Sequence, residues 1–242
     1  MKNIVIFGAT GAIGQNITEQ LASEGANLML AGRDAGAVEA LASKYKARTA
    51  IFDAFDNESV KAVIAKAEEE GPISGLIWAV GSILLKPQAK LTATDYQDCF
   101  YLNVTAAALA IQAASKSLKE GQGAVLLFSS VAASQGFAAH GAISAAKAGV
   151  EGLATALATE LSPDIRVNVI APSLTQSKMS EPLLSNEIMA KGIAQSHPLR
   201  RLGQGRDFGP MAALLMNPEK SGWITGAVIA IDGGRKTLRT KG

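Results

Sequence analysis

A glycine-rich segment near the start of the chain combines residues that can bind an anion. Gly8, Gly11 and Gly14 follow the short apolar run Asn3–Phe7 and precede an apolar stripe at helical spacing. Glycines let a backbone approach a pyrophosphate, and the first turn of a helix offers free N–H groups and a positive dipole end. The spacing is Gly-x₂-Gly-x₂-Gly rather than the Gly-x-Gly-x₂-Gly of the standard fingerprint, so the turn alone could be a purely structural connection. The strand–turn–helix context favours dinucleotide binding by the residues of this turn: Gly8, Thr10, Gly11, Ala12, Ile13 and Gly14.

The residues after the second predicted strand bear on which dinucleotide would bind. NAD sites place an acidic side chain near that strand end on the ribose 2′-hydroxyl, whereas NADP sites place an arginine on the 2′-phosphate. The sequence there is Ala31-Gly32-Arg33-Asp34. We interpret Asp34 as the cap of the following helix and Arg33 as the phosphate ligand; the alternative is an exposed loop arginine. The sequence therefore favours NADP(H) over NAD(H).

Short apolar runs alternate with helical patterns along the chain. The predicted strands are seven apolar runs, at residues 3–7, 27–31, 48–52, 76–80, 124–128, 166–170 and 228–231. The predicted helices have apolar residues at three- and four-residue spacing, at about 13–21, 38–45, 57–67, 94–118, 141–161, 186–195 and 207–216. This alternation predicts an α/β fold, a doubly wound Rossmann fold of about seven parallel strands with helices on both faces. Because no linker or repeat interrupts it, we expect one dinucleotide-binding domain over residues 1–242.

Several short motifs, in this order and spacing, make the chain similar to short-chain dehydrogenases/reductases. They are the glycine turn, Asp53 after the third strand, Asn103 in the long helix, Phe128-Ser129-Ser130-Val131, Lys147 in Ser144-Ala-Ala-Lys147-Ala-Gly, Asn168-Val-Ile-Ala-Pro172-Ser173, and Ile224-Thr-Gly226 through Asp232-Gly-Gly234. The resemblance covers about residues 3–234. It implies a nicotinamide cofactor whose adenine contacts Asp53.

The resemblance also implies four catalytic side chains, of which the sequence holds three. In the family a serine hydrogen-bonds the substrate oxygen, a lysine holds the nicotinamide ribose and lowers the tyrosine pKa, and an asparagine keeps a water in the proton relay. By similarity these are Ser130, Lys147 and Asn103. The tyrosine that donates the proton belongs four residues before the lysine, and that position is Ile143. General acid–base catalysis typically contributes about 10²–10⁴-fold in rate, so we expect impaired activity on unactivated ketones.

His140 is the residue that we expect to replace the missing phenol. If the helix extends back to it, residues 140, 143 and 147 share one face, and an imidazole suits proton transfer near neutral pH. The alternative is that His140 lies in the loop before the helix without a chemical role. The tyrosines offer no clear substitute: Tyr101 should point away from Asn103, Tyr96 lies two helical turns before it, and Tyr45 belongs to a core-facing stripe.

Other family positions near the cofactor are partly changed. The Asn-Asn-Ala-Gly segment typical of the family is Trp78-Ala79-Val80-Gly81 here, and the residue after Pro172 is Ser173 instead of glycine. By similarity the cofactor would contact residues of both segments and of the loop that follows them: Ala79, Gly81, Lys147, Pro172, Ser173, Thr175 and Ser177. His197 lies in the irregular region that would cover the substrate, where a loop histidine is usually solvated. Cys99 is interpreted as a small buried residue, because no base is placed beside it.

Composition narrows the class of protein. Of 242 residues 48% are hydrophobic and 18% are charged, which excludes a disordered chain and suggests that further surface is covered in a homo-oligomer, a dimer or a tetramer. The net charge of +2 depends on a short basic tail of Arg235, Lys236, Arg239 and Lys241. The sequence predicts no basic face of the kind that binds nucleic acid. One cysteine and two distant histidines predict no metal site. The first apolar run is too short for a signal peptide and none spans a membrane, so we expect a cytoplasmic protein.

Two functions remain open. The first is an NADP(H)-dependent oxidoreductase that acts on a carbonyl/alcohol pair or a similar small substrate, with an altered proton donor; an activated double bond or an iminium would tolerate Ile143 best. The second is a catalytically silent NADP(H)-binding regulatory or scaffold protein, which the absent tyrosine favours. A hydrolase acting through Ser130 lacks a base and an acidic partner.

Overall fold

Each apolar run in the sequence forms a strand of one parallel sheet in the computed structural model, which describes residues 2–239. Lys241 of the basic tail lies outside the described residues. The strand order is β3-β2-β1-β4-β5-β6-β7. The strands are β1 (Asn3–Phe7), β2 (Asn27–Gly32), β3 (Arg48–Ile51), β4 (Gly75–Trp78), β5 (Ala124–Phe128), β6 (Arg166–Pro172) and β7 (Val228–Ile231).

Helices connect the strands and cover both faces of the sheet. They are α1 (Ala12–Ser23), α2 (Ala35–Tyr45), α3 (Asn57–Glu68), α4 (Ala93–Phe100), α5 (Ala106–Glu120), α6 (Gly141–Glu160), α7 (Glu181–Leu184), α8 (Glu187–Gln195), α9 (Gly209–Met216) and α10 (Pro218–Ser221). The prediction of a doubly wound Rossmann fold with seven parallel strands and helices on both faces is therefore confirmed.

Strand residues alternate between two apolar cores because successive side chains of a strand point to opposite faces. Ile4 and Ile6 of β1 pack in one core with α1, α2 and α9. Val5 and Phe7 pack in the other with α3, α5 and α6. Both faces of β1 are thus fully buried, which explains why its sequence is a continuous apolar run instead of an alternating one.

The long helix predicted at 94–118 differs most from the structure. A capping box between Thr92 and Asp95 starts α4 at Ala93. Residues Tyr101–Thr105 then form a π-helical turn before α5 continues to Glu120. One extra residue is accommodated in that turn, so the positions on either side of it do not share the faces that a regular α-helix would give them.

The carboxyl ends of the strands form the edge at which the candidate residues meet. The strand order reverses between β1 and β4, and a crevice opens at such a switch point in parallel sheets. Gly8, directly after β1, lies so close to the segment after β4 that a Cβ on it would be 2.7 Å from the carbonyl oxygen of Ala79. The glycine turn and the segment after β4 therefore form adjoining walls of one crevice.

Candidate active site

The glycine turn has the geometry of an anion cradle. Gly8 has a φ of +78°, and a Cβ on Gly14 would overlap the carbonyl oxygen of Gly8, so neither position tolerates a side chain. Gly11 caps α1 without a side-chain hydrogen bond, and the first turn of α1 holds no acidic residue. The free N–H groups of this turn, which include those of Ala12 and Ile13, can therefore meet a phosphate without repulsion.

Arg33 lies next to the glycine turn. The intervening Gly32 is packed so that a Cβ on it would be 3.4 Å from Oγ1 of Thr10. Arg33 itself is exposed, while the carboxylate of Asp34 accepts a hydrogen bond of 3.0 Å from the backbone of Ala37 and caps α2. The cap predicted for Asp34 is confirmed, and the guanidinium of Arg33 at the end of β2 is exposed to solvent.

Asp53 follows β3 at the same edge of the sheet. Its carboxylate is exposed and accepts a hydrogen bond of 2.9 Å from the backbone N–H of Phe55. The hydroxyl of Ser59 accepts another from the backbone N–H of Asp53, at 3.0 Å. These bonds fix the loop after β3 in place and leave the second carboxylate oxygen of Asp53 toward solvent.

Lys147 is the buried charge of the site. Its side chain is only 8% exposed, and its Nζ donates a hydrogen bond of 2.8 Å to the carbonyl oxygen of Phe128 at the end of β5. Burial lowers the pKa of this ammonium to about 8. Ser129, which follows Phe128, links α6 to β5, because its hydroxyl lies 2.7 Å from a carboxylate oxygen of Glu151 on α6. An ammonium has three N–H donors, so Lys147 retains donors for a ligand.

Asn103 is placed beside Lys147 by the π-helical turn. Its Nδ2 donates to the carbonyl oxygen of Cys99 at 2.8 Å, whereas its buried Oδ1 has no partner within the described residues. A Cβ on Gly81 would lie 3.0 Å from that Oδ1 and 3.2 Å from the Nζ of Lys147. A buried amide oxygen without a partner is costly, so this position fits a water or a ligand hydroxyl.

Ser130 completes the group that the sequence predicted. Its Oγ accepts a hydrogen bond of 3.1 Å from the backbone N–H of Ala132, which leaves its own O–H free to donate. Ser130 and Lys147 line one cavity of about 370 Å³. The cavity also contacts residues of the glycine turn and of the segments after β4 and β6, which include Ile13, Ala79, Gly81, Pro172, Ser173, Thr175 and Ser177.

Ile143 lies on α6 one turn before Lys147 and forms part of the same cavity wall. It is 5% exposed and packs against Cys99, Ala142 and Ala146. Burial raises the pKa of the Cys99 thiol, in agreement with the interpretation of a small buried residue. The wall next to the ammonium is thus apolar.

His140 lies outside the helix. It precedes the first residue of α6 and is the N-cap, so the shared face of residues 140, 143 and 147 does not exist as a helical face. Its Nδ1 lies 2.7 Å from the carbonyl oxygen of Ala138, and its ring packs at 5.2 Å from that of Phe137. His140 is nevertheless one of the residues that line the cavity. Only Nε2 remains available for proton transfer.

The tyrosines are engaged elsewhere. Tyr101 stacks on Phe55 with ring centroids 5.3 Å apart. Tyr96 donates its hydroxyl to Gln88 at 2.9 Å, and that hydroxyl would be 3.4 Å from a Cβ on Gly141. Neither ring lines the cavity that contains Lys147. No phenol in that cavity wall takes the place of a tyrosine at residue 143.

The sequence did not identify a polar pair that lines the same cavity, Ser173 and His197. His197 is only 2% exposed instead of solvated, and its Nε2 lies 2.8 Å from the Oγ of Ser173. Thr175 is also buried, and its hydroxyl donates to the carbonyl oxygen of Ser173 at 3.0 Å. The backbone N–H of Ser177 donates to Oγ of Ser180, which closes the loop after β6.

The cavity is otherwise apolar and has no acidic lining. Its apolar walls come from Ile83, Leu85, Phe137, Met179, Leu183 and Ile193, and its charged lining residues are Lys147 and Arg235. Within residues 2–239, no three His, Cys, Asp or Glu side chains come together as metal ligands would. No helix in that part of the chain is both long and apolar enough to span a membrane.

Comparison with known proteins assigns the family. A family model described as enoyl-(acyl carrier protein) reductase matches residues 8–236. A tropinone reductase homologue of Arabidopsis thaliana is 30% identical over 241 residues, which cover 96% of this chain and 92% of the relative. A short-chain dehydrogenase/reductase from Brucella melitensis superposes with a TM-score of 0.92 at 28% identity, with 98% of each chain covered. A variant of actinorhodin polyketide ketoreductase solved with NADPH shares the fold, with a TM-score of 0.90 at 23% identity over 97% of each chain. The chain belongs to the short-chain dehydrogenase/reductase family.

Proposed function

We propose that the protein is an NADP(H)-dependent oxidoreductase that interconverts a carbonyl and an alcohol, or reduces a similar small apolar substrate. One observation carries this proposal: the buried ammonium of Lys147, the free hydroxyl of Ser130 and the unpartnered Oδ1 of Asn103 gather beside the glycine turn. The structural comparison supports a nicotinamide cofactor, since the chain shares its fold with a ketoreductase solved with NADPH. The apolar cavity supports a substrate that is mainly hydrocarbon.

The cofactor would supply hydride transfer, and the chain would position it and balance charge. The N–H groups at the start of α1 would hold the pyrophosphate, and the remaining donors of Lys147 would hold the nicotinamide ribose. Ser130 donates its O–H to the substrate oxygen and stabilises the negative charge that develops there. Asn103 accepts a hydrogen bond from a water between itself and Lys147. Backbone groups at Ala79, Gly81, Pro172, Ser173 and Thr175 would line the nicotinamide end, Ser177 would lie near the phosphates, and Asp53 would flank the adenine.

The proton donor differs from the tyrosine of the family, because Ile143 occupies its position by similarity and has no exchangeable proton. His140 is the donor that the sequence suggests, and its free Nε2 at the cavity wall supports the proposal. Substrates that need little acid assistance, such as an activated double bond or an iminium, suit this wall best. His140→Ala tests this role, and unchanged turnover in that variant excludes it.

The preference for NADP(H) rests on Arg33. An exposed guanidinium next to the glycine turn, with Asp34 occupied as a cap, supports recognition of the 2′-phosphate. Arg33→Ala should weaken NADPH binding about 10-fold or more and leave NADH binding nearly unchanged, because the lost contact is to the 2′-phosphate alone. Fluorescence titration of both reduced nucleotides measures this. Equal losses for the two nucleotides would contradict the assignment.

We also propose a single domain that assembles as a dimer or a tetramer in the cytoplasm. The low charged fraction of 18% and the exposed rings of Phe100 and Trp223 support assembly. The free thiol of Cys99 is usual for proteins of a reducing compartment.

The experiment that tests the function is nucleotide titration followed by turnover against a panel of carbonyls, enones and iminiums. NADPH binding with loss of the reduced-nicotinamide absorbance supports the oxidoreductase. NADPH binding without turnover favours the second function, a silent NADP(H)-binding regulatory or scaffold protein. The buried apolar side chain of Ile143 supports that alternative. Failure to bind either nucleotide overturns both.

A further inference from the structure

Ser173 and His197 form a hydrogen-bonded pair that the catalytic roles above do not use. His197 lies just after α8 and is 2% exposed, although a histidine in a connecting segment is usually solvated. Its Nε2 lies 2.8 Å from Oγ of Ser173, and its Nδ1 lies 2.8 Å from the carbonyl oxygen of Ile193. Both ring nitrogens are thus occupied, and the ring has one fixed orientation.

The two hydrogen bonds fix where the protons are. A carbonyl oxygen only accepts, so Nδ1 of His197 carries the proton that it donates to Ile193. In the neutral ring Nε2 then has a free lone pair and accepts the O–H of Ser173. The lone pairs of Ser173 Oγ remain available to a third group. A hydroxyl that donates to an imidazole oriented by a third group is the arrangement by which proteins activate a serine.

The pair lies where the reaction would take place. Ser173 and His197 line the cavity that also contains Ser130, Ile143 and Lys147. Ser173 directly follows β6, and the backbone N–H of Ser129 donates to Ile170 of that strand at 2.9 Å, so the two serine-bearing segments leave the same edge of the sheet. The cavity therefore has a hydroxyl on each of two neighbouring segments, and one of them is coupled to a titratable ring.

We propose that Ser173 and His197, rather than His140, are the proton relay for the oxidoreductase reaction, in place of the phenol that Ile143 cannot supply; this inference rests on the proposed function of an oxidoreductase. In alcohol oxidation, the substrate O–H bond breaks and its proton goes to Oγ of Ser173. The proton of Ser173 moves to Nε2 of His197 at the same time. The substrate C–H bond breaks, and its hydrogen leaves with both electrons as hydride to the oxidised nicotinamide dinucleotide. Carbonyl reduction is the reverse, with the proton of Nε2 reaching the substrate oxygen through Ser173.

Charged groups from several elements lie around the pair. Arg235 faces it from the segment after β7, where its guanidinium donates to the carbonyl oxygen of Ser196 at 2.8 Å. Lys147 of α6 lines the same cavity as His197. Asp232 lies beyond Gly233, and backbone N–H groups of its own turn occupy its carboxylate. On α8, Glu187 and Lys191 pair with each other at 3.7 Å in solvent. The cavity-lining residues include no carboxylate, so the two histidines are the candidate acceptors, and of these His197 is the one hydrogen-bonded to a hydroxyl of the cavity lining.

Turnover of matched variants tests the relay. Ser173→Ala should lower kcat about 100-fold or more while the Kd for NADPH stays within about 3-fold, because the lost O–H acts on the substrate proton. Ser173→Thr keeps a hydroxyl and should restore most of the rate. Ser196→Ala is the matched control: it removes a hydroxyl that donates to the same Ile193 carbonyl, outside the site, and should leave kcat unchanged. His197→Gln should lower kcat by a similar factor, because it removes the ring nitrogen that accepts the proton of Ser173.

Nitrogen NMR of the histidine rings provides a readout that does not depend on turnover. The chain has two histidines, so His140→Gln assigns both ring systems. His197 should show protonated Nδ1 and an Nε2 acceptor, and Ser173→Ala should shift the Nε2 resonance. A ring protonated at Nε2 when neutral, or a spectrum that Ser173→Ala does not change, would overturn the relay.

The outcomes separate this inference from the proposed function. If wild type binds NADPH and turns over, and Ser173→Ala and His197→Gln are as active as Ser196→Ala, then the relay is wrong and the oxidoreductase stands. If His140→Ala loses turnover while Ser173→Ala and His197→Gln keep it, the relay is likewise wrong and the oxidoreductase stands. If wild type binds no nucleotide or turns over no substrate, the oxidoreductase fails and the relay fails with it, whatever the NMR shows.

Discussion

By similarity Ile143 occupies the position of the family's tyrosine, and under the proposed function it would limit the acid catalysis that this site can provide. It lies four residues before Lys147 on α6, so a side chain at this position faces the same cavity. Ile143→Tyr should place a phenol near the buried ammonium and raise turnover of a simple ketone about 100-fold, since a positioned acid contributes about 10²–10⁴-fold. Steady-state kinetics with NADPH measures the gain.

Ile143→Phe is the control for that substitution, because it adds the same ring without the hydroxyl. Either ring must displace part of the packing against Cys99 and Ala146, so both variants carry the same steric cost. Equal rates in the two variants would mean that the phenol gives no acid catalysis here, and that an existing donor already fills the role.

Sequence reasoning could identify Ser130, Asn103 and Lys147 because each stands in a recognisable local motif. The structure brings all three to one region at the carboxyl edge of the sheet. Sequence reasoning could not identify the Ser173–His197 pair, because the two residues are 24 positions apart and neither lies in a periodic pattern. Burial of His197 depends on contacts between the segments after β6, α8 and β7, which no single stretch of sequence encodes.

At the scale of elements, the β1–α1 connection depends on the close approach of Gly8 to the segment after β4. Gly8→Ala should lower the free energy of unfolding by at least about 2 kcal/mol more than Gly25→Ala, and only Gly8→Ala should abolish nucleotide binding. The two glycines have nearly the same φ, +78° and +77°, but a Cβ on Gly25 meets no atom within 4 Å. Backbone strain is therefore matched, and the difference reports the contact with Ala79.

Denaturant unfolding and NADPH titration of both variants measure this comparison. Equal destabilisation would mean that the segment after β4 shifts freely, and that the crevice between β1 and β4 is less rigid than the structure indicates. Retained nucleotide binding in Gly8→Ala would argue against the glycine turn as the pyrophosphate site.

The elements themselves were largely predictable, because apolar runs and stripes report burial directly. The π-helical turn at Tyr101–Thr105 was not, since its residues continue the helical pattern on either side. That turn matters for the site, because Asn103 lies within it. Its Oδ1 is left facing Gly81 rather than pairing within the helix.

At the scale of the whole molecule, the sheet collects chemistry at one edge. All seven strands are parallel, so their carboxyl ends lie on the same side, and the segments after β1, β4, β5 and β6 all line the cavity. Two apolar cores lie between the sheet and its helices. The charged residues that line the cavity, Lys147 and Arg235, each donate a hydrogen bond to a backbone carbonyl oxygen. Lys147 is the clearest case, because it is held inside by a single carbonyl bond.

That buried ammonium should make the stability of the whole chain depend on pH. The pKa of Lys147 is about 8 in the folded protein, against an ordinary value of 10.5. Below pH 8 the group is protonated in both states, and because the folded state binds the proton less tightly, burial of the charge destabilises it by on the order of 3 kcal/mol. Above pH 8 the folded protein releases the proton first, so this destabilisation shrinks and vanishes near pH 10.5.

Lys147→Met removes the buried charge and should raise the free energy of unfolding at pH 7, by an amount that falls steadily between pH 8 and pH 10.5. Denaturant unfolding across this range measures the difference from wild type, and Lys61→Met is the control, because Lys61 is half exposed in an ion pair with Glu58. A difference that does not change with pH would mean that the ammonium is solvated in the folded protein, and that Lys147 has the ordinary proton affinity of a surface lysine.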